Sequence, residues 1–268
     1  MKGLRRAVYL SGVVAICAWV LVPIYFIALG AFGGRTGVFR WPKSIWPMDS
    51  TLAAMQTFLA IEGVGKAALN SVIAAALCMF LSILLGAPAG YALARYSFKG
   101  QNLYRLLIIL TRAFPLAILA LPLTVTFIRI GLYDTPYGVA LIHTALALPF
   151  AALVSSSLFM GIPREFEEAA WVFGCTRLQA FLKIVLPLAL PGMAAAAIFA
   201  FVISWNEVFA ASILTVREKT LTAYLLTVLR ESPLHYRFAG GFILIVPSIV
   251  FIFAVRKYLF AMWGIANR

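Results

Sequence analysis

A short polar segment interrupts the fifth long apolar run of the sequence. It reads Ser204-Trp-Asn-Glu-Val-Phe209 and sets Trp205, Asn206 and Glu207 side by side. An aromatic face, an amide and a carboxylate are groups that bind the hydroxyls and C–H faces of sugars. A charge inside a membrane helix costs about 2.5–3.5 kcal/mol, so it needs a function or a partner. Two interpretations are open: the trio lines a solute cavity, or it forms a structural hydrogen-bond network between helices.

The other polar residues inside apolar runs point to less defined chemistry. Arg112, in the third run, has three open interpretations: it neutralises Glu207, binds an anionic substrate group, or extends towards lipid headgroups. His143 is solitary, and we expect it to make a hydrogen bond between helices. The serines 155–157 have no base beside them and no Gly-x-Ser-x-Gly frame, so we expect close packing or pore-facing hydroxyls. The sequence predicts no catalytic residue and no metal site.

The elements that position these residues are predicted to be membrane helices. Of the 268 residues, 63% are hydrophobic and 12% are charged, whereas soluble domains carry about a quarter charged residues. The sequence predicts an all-α fold, a polytopic transmembrane helical bundle of six spans in a single domain, residues 1–268. We expect the first span to remain uncleaved. Apolar runs long enough to cross a bilayer lie at about 7–31, 67–94, 103–128, 138–160, 188–214 and 239–262.

The formal net charge of +13 is distributed between the apolar runs. This distribution indicates anionic lipid headgroups, and no nucleic acid, as the partner of the basic residues. Six spans put both termini on one side, which holds twelve Lys and Arg residues against nine on the other, so both termini are predicted to be cytoplasmic. External loops are expected at about 32–66 and 216–238. The first contains Trp41-Pro42 and Trp46-Pro47 and is expected to have little regular structure.

The cytoplasmic connection of about 161–187 carries signals for two helices. Pro163 suits a helix start, and three glutamates follow it, where the helix dipole favours anions. Gly174 is placed to end this helix in a left-handed cap, and Thr176 and Gln179 have capping-box spacing for a second one. The sequence predicts a helix-turn-helix at the membrane surface. Two interpretations are open: a rigid element through which a soluble motor drives the spans, or an ordinary amphipathic connector.

The connection contains Glu168-Ala169-Ala170, then Gly174 and then Ile184-x-Leu186-Pro187. At this spacing they resemble the cytoplasmic signature of ATP-binding-cassette (ABC) importer permeases. The segments Asn70-Ser71, Gly90–Arg95 and Ser204–Phe209 resemble the carbohydrate-uptake branch, the relatives of the smaller maltose permease subunit, and the likeness covers about residues 10–263. The resemblance implies a type I ABC importer permease fold in the bacterial inner membrane, with a sugar or sugar derivative as the translocated solute.

The resemblance also implies roles and partners. The first connector helix would be a coupling helix that docks on an ATPase subunit, with Glu168 pairing a basic residue there. The implied partners are a second homologous permease subunit, two ATP-binding subunits and an extracytoplasmic solute-binding protein, which the 216–238 loop would meet. Two departures are the C-terminal segment Trp263–Arg268, which replaces a glycine-rich tail, and the charged Arg112. The implied coupling residues are Glu165, Glu167, Glu168, Ala169, Ala170, Gly174 and Pro187.

No Gly-x4-Gly-Lys-Ser/Thr loop for nucleotide phosphates occurs in the sequence. The energy source must therefore be another polypeptide or an ion gradient. The resemblance implies a transport subunit that is not an enzyme and binds no cofactor, with ATP and Mg on partner subunits. An ion-coupled secondary carrier is the main alternative, for which Glu207 and His143 supply only part of a proton relay. An intramembrane enzyme is a second alternative that lacks a nucleophile–base pair. The solute class is open among disaccharides, oligosaccharides, polyols, glycerol phosphate and acidic sugar derivatives.

Overall fold

A computed structural model describes residues 2–42, 45–46, 50–227 and 230–262, with the backbone alone at 2–4, 35–36 and 254–262. The described residues form helices and connecting turns, and no strand occurs among them. The fold class predicted from the sequence is confirmed. The helices are α1 (Lys2–Phe32), α2 (Gly34–Phe39), α3 (Ala53–Ala60), α4 (Val64–Arg95), α5 (Gln101–Leu110), α6 (Leu116–Arg129), α7 (Pro136–Met160), α8 (Glu165–Val172), α9 (Arg177–Ala180), α10 (Leu186–Asn206), α11 (Phe209–Leu214), α12 (Leu221–Thr227) and α13 (Leu234–Met262).

The third apolar run does not form one straight helix. A 3-10 turn at Thr111–Ala113 follows α5, and α6 leaves this break at an angle of 86°. Pro115 has no N–H to donate, and it holds the preceding Phe114 in an extended conformation with ψ of 120°. The continuous helix predicted over 103–128 is therefore wrong. Among the described residues five helices are long and apolar enough to span a membrane, and a sixth span exists if this bent pair counts as one.

The fifth span begins earlier and ends earlier than the predicted 188–214. It is a continuous helix over Arg177–Asn206, which joins α9 to α10 through a π-helical turn at Phe181–Val185. In this turn the Leu186 N–H bonds to the Phe181 carbonyl, five residues back, directly before Pro187, which cannot donate. Glu207 is extended and ends the helix, and α11 follows it. The second connector helix therefore runs into the span itself.

The connection at 32–66 is more ordered than the sequence suggested. Within its described part, α2 and α3 are regular helices. Thr51 helps to fix α3, because its hydroxyl accepts the N–H of Ala53 and its own N–H bonds to the Phe32 carbonyl. The expectation of little regular structure is wrong for these residues.

The chain divides into two compact units. The first comprises Met1–Gly65 and Tyr224–Pro247, and the second comprises Lys66–Ala223 and Ser248–Arg268. In the first unit the rings of Phe32 and Phe242 meet edge to face, with centroids 5.1 Å apart. The predicted candidate residues all lie in the second unit.

Helices α4 and α7 cross closely in the second unit. A Cβ atom added at Gly90 would lie 2.6 Å from the Ser155 Cβ and 2.7 Å from the Ala152 carbonyl oxygen. Gly86 approaches Ala151 in the same way, so small residues at i and i+4 let the two backbones meet. The Ser155 and Ser156 side chains are buried in this region. Their burial agrees with the close-packing interpretation of these hydroxyls.

Candidate functional site

The first connector helix, α8, presents two different faces. Its first turn contains Glu165, Glu167 and Glu168, of which Glu165 and Glu168 are exposed and Glu167 is buried. Ala169 is exposed and Ala170 is buried. Successive helical residues point about 100° apart. The predicted coupling residues of this eight-residue helix are therefore divided between an exposed face and a buried face.

The buried carboxylate of Glu167 is bound by residues of α4. The Tyr91 hydroxyl donates to Glu167 Oε2 at 2.6 Å, and the Arg95 guanidinium forms an ion pair with Oε1. Arg95 also donates to the Ile162 carbonyl at 2.9 Å, and Arg164 donates to the Arg95 carbonyl at 3.3 Å. The first turn of α8 is thus joined to the last turn of α4.

The turn after α8 has the predicted backbone conformation and helix caps. Gly174 adopts a φ of +86°, which L-residues with a side chain rarely adopt. Its N–H bonds to the Trp171 carbonyl and the Cys175 N–H bonds to the Ala170 carbonyl, both at 2.9 Å, which completes a Schellman cap. Thr176 and Gln179 form a capping box at the start of α9. The left-handed cap and the capping box are both confirmed.

A cavity of about 220 Å³ lies beside this turn. The guanidinium carbon of Arg177 is 5.6 Å from the centroid of the Trp171 ring and 5.9 Å from that of Tyr96, so Arg177 links α8 to the residue that follows α4. Aromatic and charged side chains line the cavity: Tyr91, Arg95, Tyr96, Arg164, Glu167, Glu168, Trp171 and Arg177.

The outer face of the connector is apolar at its centre and acidic at its start. Val172 is 85% exposed and Phe173 is 88% exposed. Exposed apolar side chains beside the carboxylates of Glu165 and Glu168 form a surface suited to docking on another protein. Pro187, which the sequence grouped with these residues, is exposed near the start of α10.

A second polar cluster joins α7 to the end of α10. His143 is fully buried, with Nδ1 2.7 Å from the Ser204 hydroxyl and Nε2 3.1 Å from Glu207 Oε2. Glu207 also accepts the N–H groups of Phe209 at 2.9 Å and Ala210 at 3.0 Å. The carboxylate thereby caps α11 and holds two spans together.

The remaining predicted path residues differ in exposure and in the contacts that they make. Trp205 is buried, 3% exposed, and stacks on Phe201. Asn206 is exposed, and its amide donates to the carbonyl one turn back. Arg112 is exposed in the 3-10 turn, with its guanidinium carbon 5.9 Å from the centroid of the Phe199 ring. The contacts of Glu207 fit the structural-network interpretation, while Asn206 and Arg112 are the accessible polar members of the set.

A third cluster, at the end of α6, is not recognisable in the sequence. Asp134 adopts a φ of +56°, and its Oδ1 accepts the N–H groups of Val216, Arg217 and Glu218 at 2.8–3.0 Å. Burial opposes ionisation of Asp134, but these three hydrogen bonds outweigh it and hold its pKa below the ordinary value. The one available signal was the preference of aspartate for left-handed turns.

The same loop is bound by the start of α4. Glu218 forms an ion pair with Lys66 and accepts the Asn70 amide at 3.1 Å, and hydrogen bonds from these two side chains lower the pKa of Glu218. The Ser71 hydroxyl accepts the Leu221 N–H at 2.8 Å. Asn70-Ser71, noted in the sequence for its resemblance alone, thus anchors the loop that leads into α12.

Comparison with known proteins gives a family match. The model of the family described as binding-protein-dependent transport system inner membrane component matches residues 82–261. This range includes α8, the Gly174 turn and the cluster of His143 and Glu207.

Individual relatives agree with this match. The trehalose transport system permease protein SugB of Mycobacterium tuberculosis is 34% identical over 202 residues, 73% of this chain and 74% of that protein. The arabinooligosaccharides transport system permease protein AraQ of Halalkalibacterium halodurans is 35% identical over 197 residues, 72% and 70% of the two chains. A solved chain of a bacterial ABC transporter involved in import of the acidic polysaccharide alginate matches with a TM-score of 0.78 and 25% identity over 96% of both chains. The segment Trp263–Arg268, whose sequence departs from the branch, lies outside the described residues.

Proposed function

This chain belongs to the family of binding-protein-dependent transport system inner membrane components, and we propose that it is the permease subunit of an ABC importer for a sugar or sugar derivative. The observation that carries this proposal is the form of the connector between the fourth and fifth spans. Its α8 exposes an acidic and apolar surface, while its other face is bonded to the spans. Such an element can receive force from a separate protein and pass it to the membrane helices.

The coupling helix is α8, and its docking face consists of Glu165, Glu168, Val172 and Phe173. Glu168 and Glu165 supply negative charge, and the two apolar side chains supply area that a partner would cover. Two ATP-binding subunits, each carrying ATP and Mg, drive the importer, and one of them binds this face. This chain binds no nucleotide and no cofactor.

Motion of the coupling helix reaches the solute path through the fifth span. The continuous helix Arg177–Asn206 has 30 residues and is therefore about 45 Å long. It begins at the connector and ends at the junction that His143 makes with Ser204 and Glu207. A shift at the inner end is thus passed along this helix to the polar cluster.

The solute path runs past the exposed polar residues near that junction. Asn206 offers an amide to solute hydroxyls, and Arg112 offers a cation to an acidic sugar derivative. Glu207 positions the junction, and the Trp205 ring stacks on Phe201. A second, homologous permease subunit completes the path, and an extracytoplasmic solute-binding protein delivers the solute to the external loops. With both termini cytoplasmic, the connector faces the ATPase side of the inner membrane.

Reconstitution tests the proposal. The chain is expressed with the permease, ATPase and solute-binding genes of its own transport system and placed in proteoliposomes with labelled trehalose or alginate oligosaccharides outside. We expect uptake of a carbohydrate that requires internal ATP and stops when the ATPase subunits carry a substitution that abolishes hydrolysis. Uptake that persists with the inactive ATPase and follows an ion gradient would instead establish a secondary carrier.

A further inference from the structure

The structure assigns Glu167 and Arg95 to an internal lock that fixes α8 to the inner end of α4, so that the coupling helix drives two spans and not one. In this assignment Glu167 is a positioning residue and makes no contact with an ATPase subunit. The inference deepens the proposed function and rests on it, because α8 must be the docking element for the lock to matter.

The burial of the pair supports this assignment. The Arg95 side chain is 8% exposed and the Glu167 side chain is 3% exposed. The Tyr91 hydroxyl donates to the second carboxylate oxygen at 2.6 Å, so both oxygens of Glu167 have partners within this chain. A docking protein cannot reach this carboxylate without breaking a buried ion pair, which is strongly unfavourable. Glu168, the next residue, is exposed and remains available to a partner.

The lock has a second component in the linker before α8. Arg95 donates to the Ile162 carbonyl, and Arg164 donates to the Arg95 carbonyl. Backbone and side-chain bonds therefore cross in both directions between the end of α4 and the segment that leads into the coupling helix. The segment is thus bonded to α4 at Ile162, Arg164 and Glu167, which restricts rotation of α8 about its own axis.

At its other end α8 is joined to the residue after α4 by the contacts of Arg177 with Trp171 and Tyr96, which are weaker than a buried ion pair. It continues into α9 through Gly174, where an added Cβ would meet no atom within 4 Å. A single turn of this kind transmits a displacement along the chain but does little to prevent rotation of α8. Without the lock, an ATPase subunit could rotate α8 about the glycine turn and leave the spans in place.

Because α4 is long, the lock connects α8 to residues at the opposite end of α4. Val64–Arg95 contains 32 residues, about 48 Å of helix. At the end opposite Arg95, Asn70 and Ser71 bind the loop that contains Glu218 and Leu221. Helix α4, which contains Pro88, thus connects the coupling helix to the loop that Asp134 holds, in parallel with the path through α10.

A charge exchange tests the lock. The complete transporter is purified with Cys17, Cys78 and Cys175 replaced and with Asn206→Cys as a reporter, and fluorescein maleimide labelling is compared with and without ATP and vanadate. Arg95→Glu and Glu167→Arg are each expected to retain the ATPase subunits but to reduce the ATP-dependent labelling change about tenfold. The double variant Arg95→Glu/Glu167→Arg is expected to recover at least about half of the change, because the ion pair re-forms with reversed polarity.

Two controls make the result decisive. Lys99→Glu changes the charge by the same amount as Arg95→Glu, at an exposed position in the turn after α4, and it is expected to behave as the parent. If a single charge variant does not insert, Tyr91→Phe decides, since it removes one hydroxyl, keeps the ion pair and is expected to reduce the labelling change about threefold.

The outcomes separate the lock from the proposed function. An unchanged labelling response in Arg95→Glu, or in Tyr91→Phe where that variant decides, overturns the lock. Loss of the ATPase subunits from Glu167→Arg, with no recovery in the double variant, would place Glu167 at the partner interface and also overturn it. A parent complex that retains no ATPase subunit and shows no ATP-dependent change would overturn the proposed function itself.

Discussion

The imidazole Nε2 of His143 lies 3.1 Å from Oε2 of Glu207, and this contact joins the middle of α7 to the end of α10. Because the other imidazole nitrogen binds Ser204, both polar atoms of the buried ring have partners. Glu207 in turn caps α11. One histidine and one carboxylate therefore fix the relative positions of three helices at the predicted solute path.

Removal of this junction is expected to destabilise the protein. Glu207→Ala leaves the His143 ring and the first N–H groups of α11 without their acceptor, at a cost of about 1–3 kcal/mol. Thermal unfolding of the purified transporter in detergent measures the loss. The neighbouring exposed Asn206→Ala should change stability by less than about 0.5 kcal/mol. Equal effects from the two variants would show that Glu207 is not a structural acceptor.

Charge reversal at Glu168 is expected to separate the permease from its ATPase. Glu168→Lys should insert normally, but the amount of ATPase subunit that co-purifies should fall at least about tenfold, because a docking carboxylate becomes a like charge facing a basic socket. Quantitative immunoblotting of the purified complex measures this. Glu231→Lys provides the matched control. Retention of the ATPase together with full ATP-dependent uptake would show that Glu168 is not part of the docking face.

The Gly174 turn gives a prediction based on backbone strain alone. Gly174→Ala places a Cβ in open space but at a φ of +86°, so the cost is conformational, about 1–2 kcal/mol. Gly12→Ala is the matched control, since it also meets open space but lies in the interior of α1, where alanine is favoured by about 0.5–1 kcal/mol. The two variants should shift the melting temperature in opposite directions, and shifts of the same sign would contradict the strain argument.

Acid is expected to release the loop that Asp134 holds. Its pKa is lower in the folded chain than in the unfolded one, so its contribution is fully present above about pH 3.9 and disappears as the pH falls through the folded value. At neutral pH, Asp134→Ala should produce the same release. Hydrogen–deuterium exchange at Val216, Arg217 and Glu218 should accelerate about tenfold or more, since bonds to a charged group contribute about 1.5–3 kcal/mol.

Glu218→Gln is the control for this experiment. Glu218 belongs to the same loop but bonds to the solvent-exposed Lys66 side chain, and exposed ion pairs contribute little. Its substitution should leave exchange of the three amides within about threefold of the parent. Equal acceleration by both substitutions would mean that general loop charge, and not the Asp134 acceptor, maintains the structure.

The sequence predicted local features better than tertiary ones. The Gly174 cap and the Thr176–Gln179 capping box depend on residues within one or two turns, and both are confirmed. The break at Pro115 was missed because a proline inside an apolar run is also compatible with a continuous membrane helix. The end of the fifth span at Asn206 was missed because the apolar run continues through α11 after the break.

The same distinction between local and tertiary features applies to the site residues. The acidic run before Gly174 indicated a coupling surface, but which glutamate is buried depends on the position of α4, which supplies Tyr91 and Arg95. The hydrogen bond between helices expected for His143 is confirmed, but its partners Ser204 and Glu207 depend on the register between α7 and α10. No local pattern contains that register, and the partners are more than 60 residues apart in the chain.

Site-specific photo-crosslinking tests the coupling surface most directly. Benzoylphenylalanine is introduced at Phe173, which is 88% exposed, and separately at Trp19 of α1, which is 84% exposed, in cells that contain the complete transporter. Irradiation should join the Phe173 variant to the ATP-binding subunit, and the Trp19 variant should give no such product. A Phe173 variant that crosslinks only to lipid or to the solute-binding protein would contradict the assignment of α8 as the coupling helix.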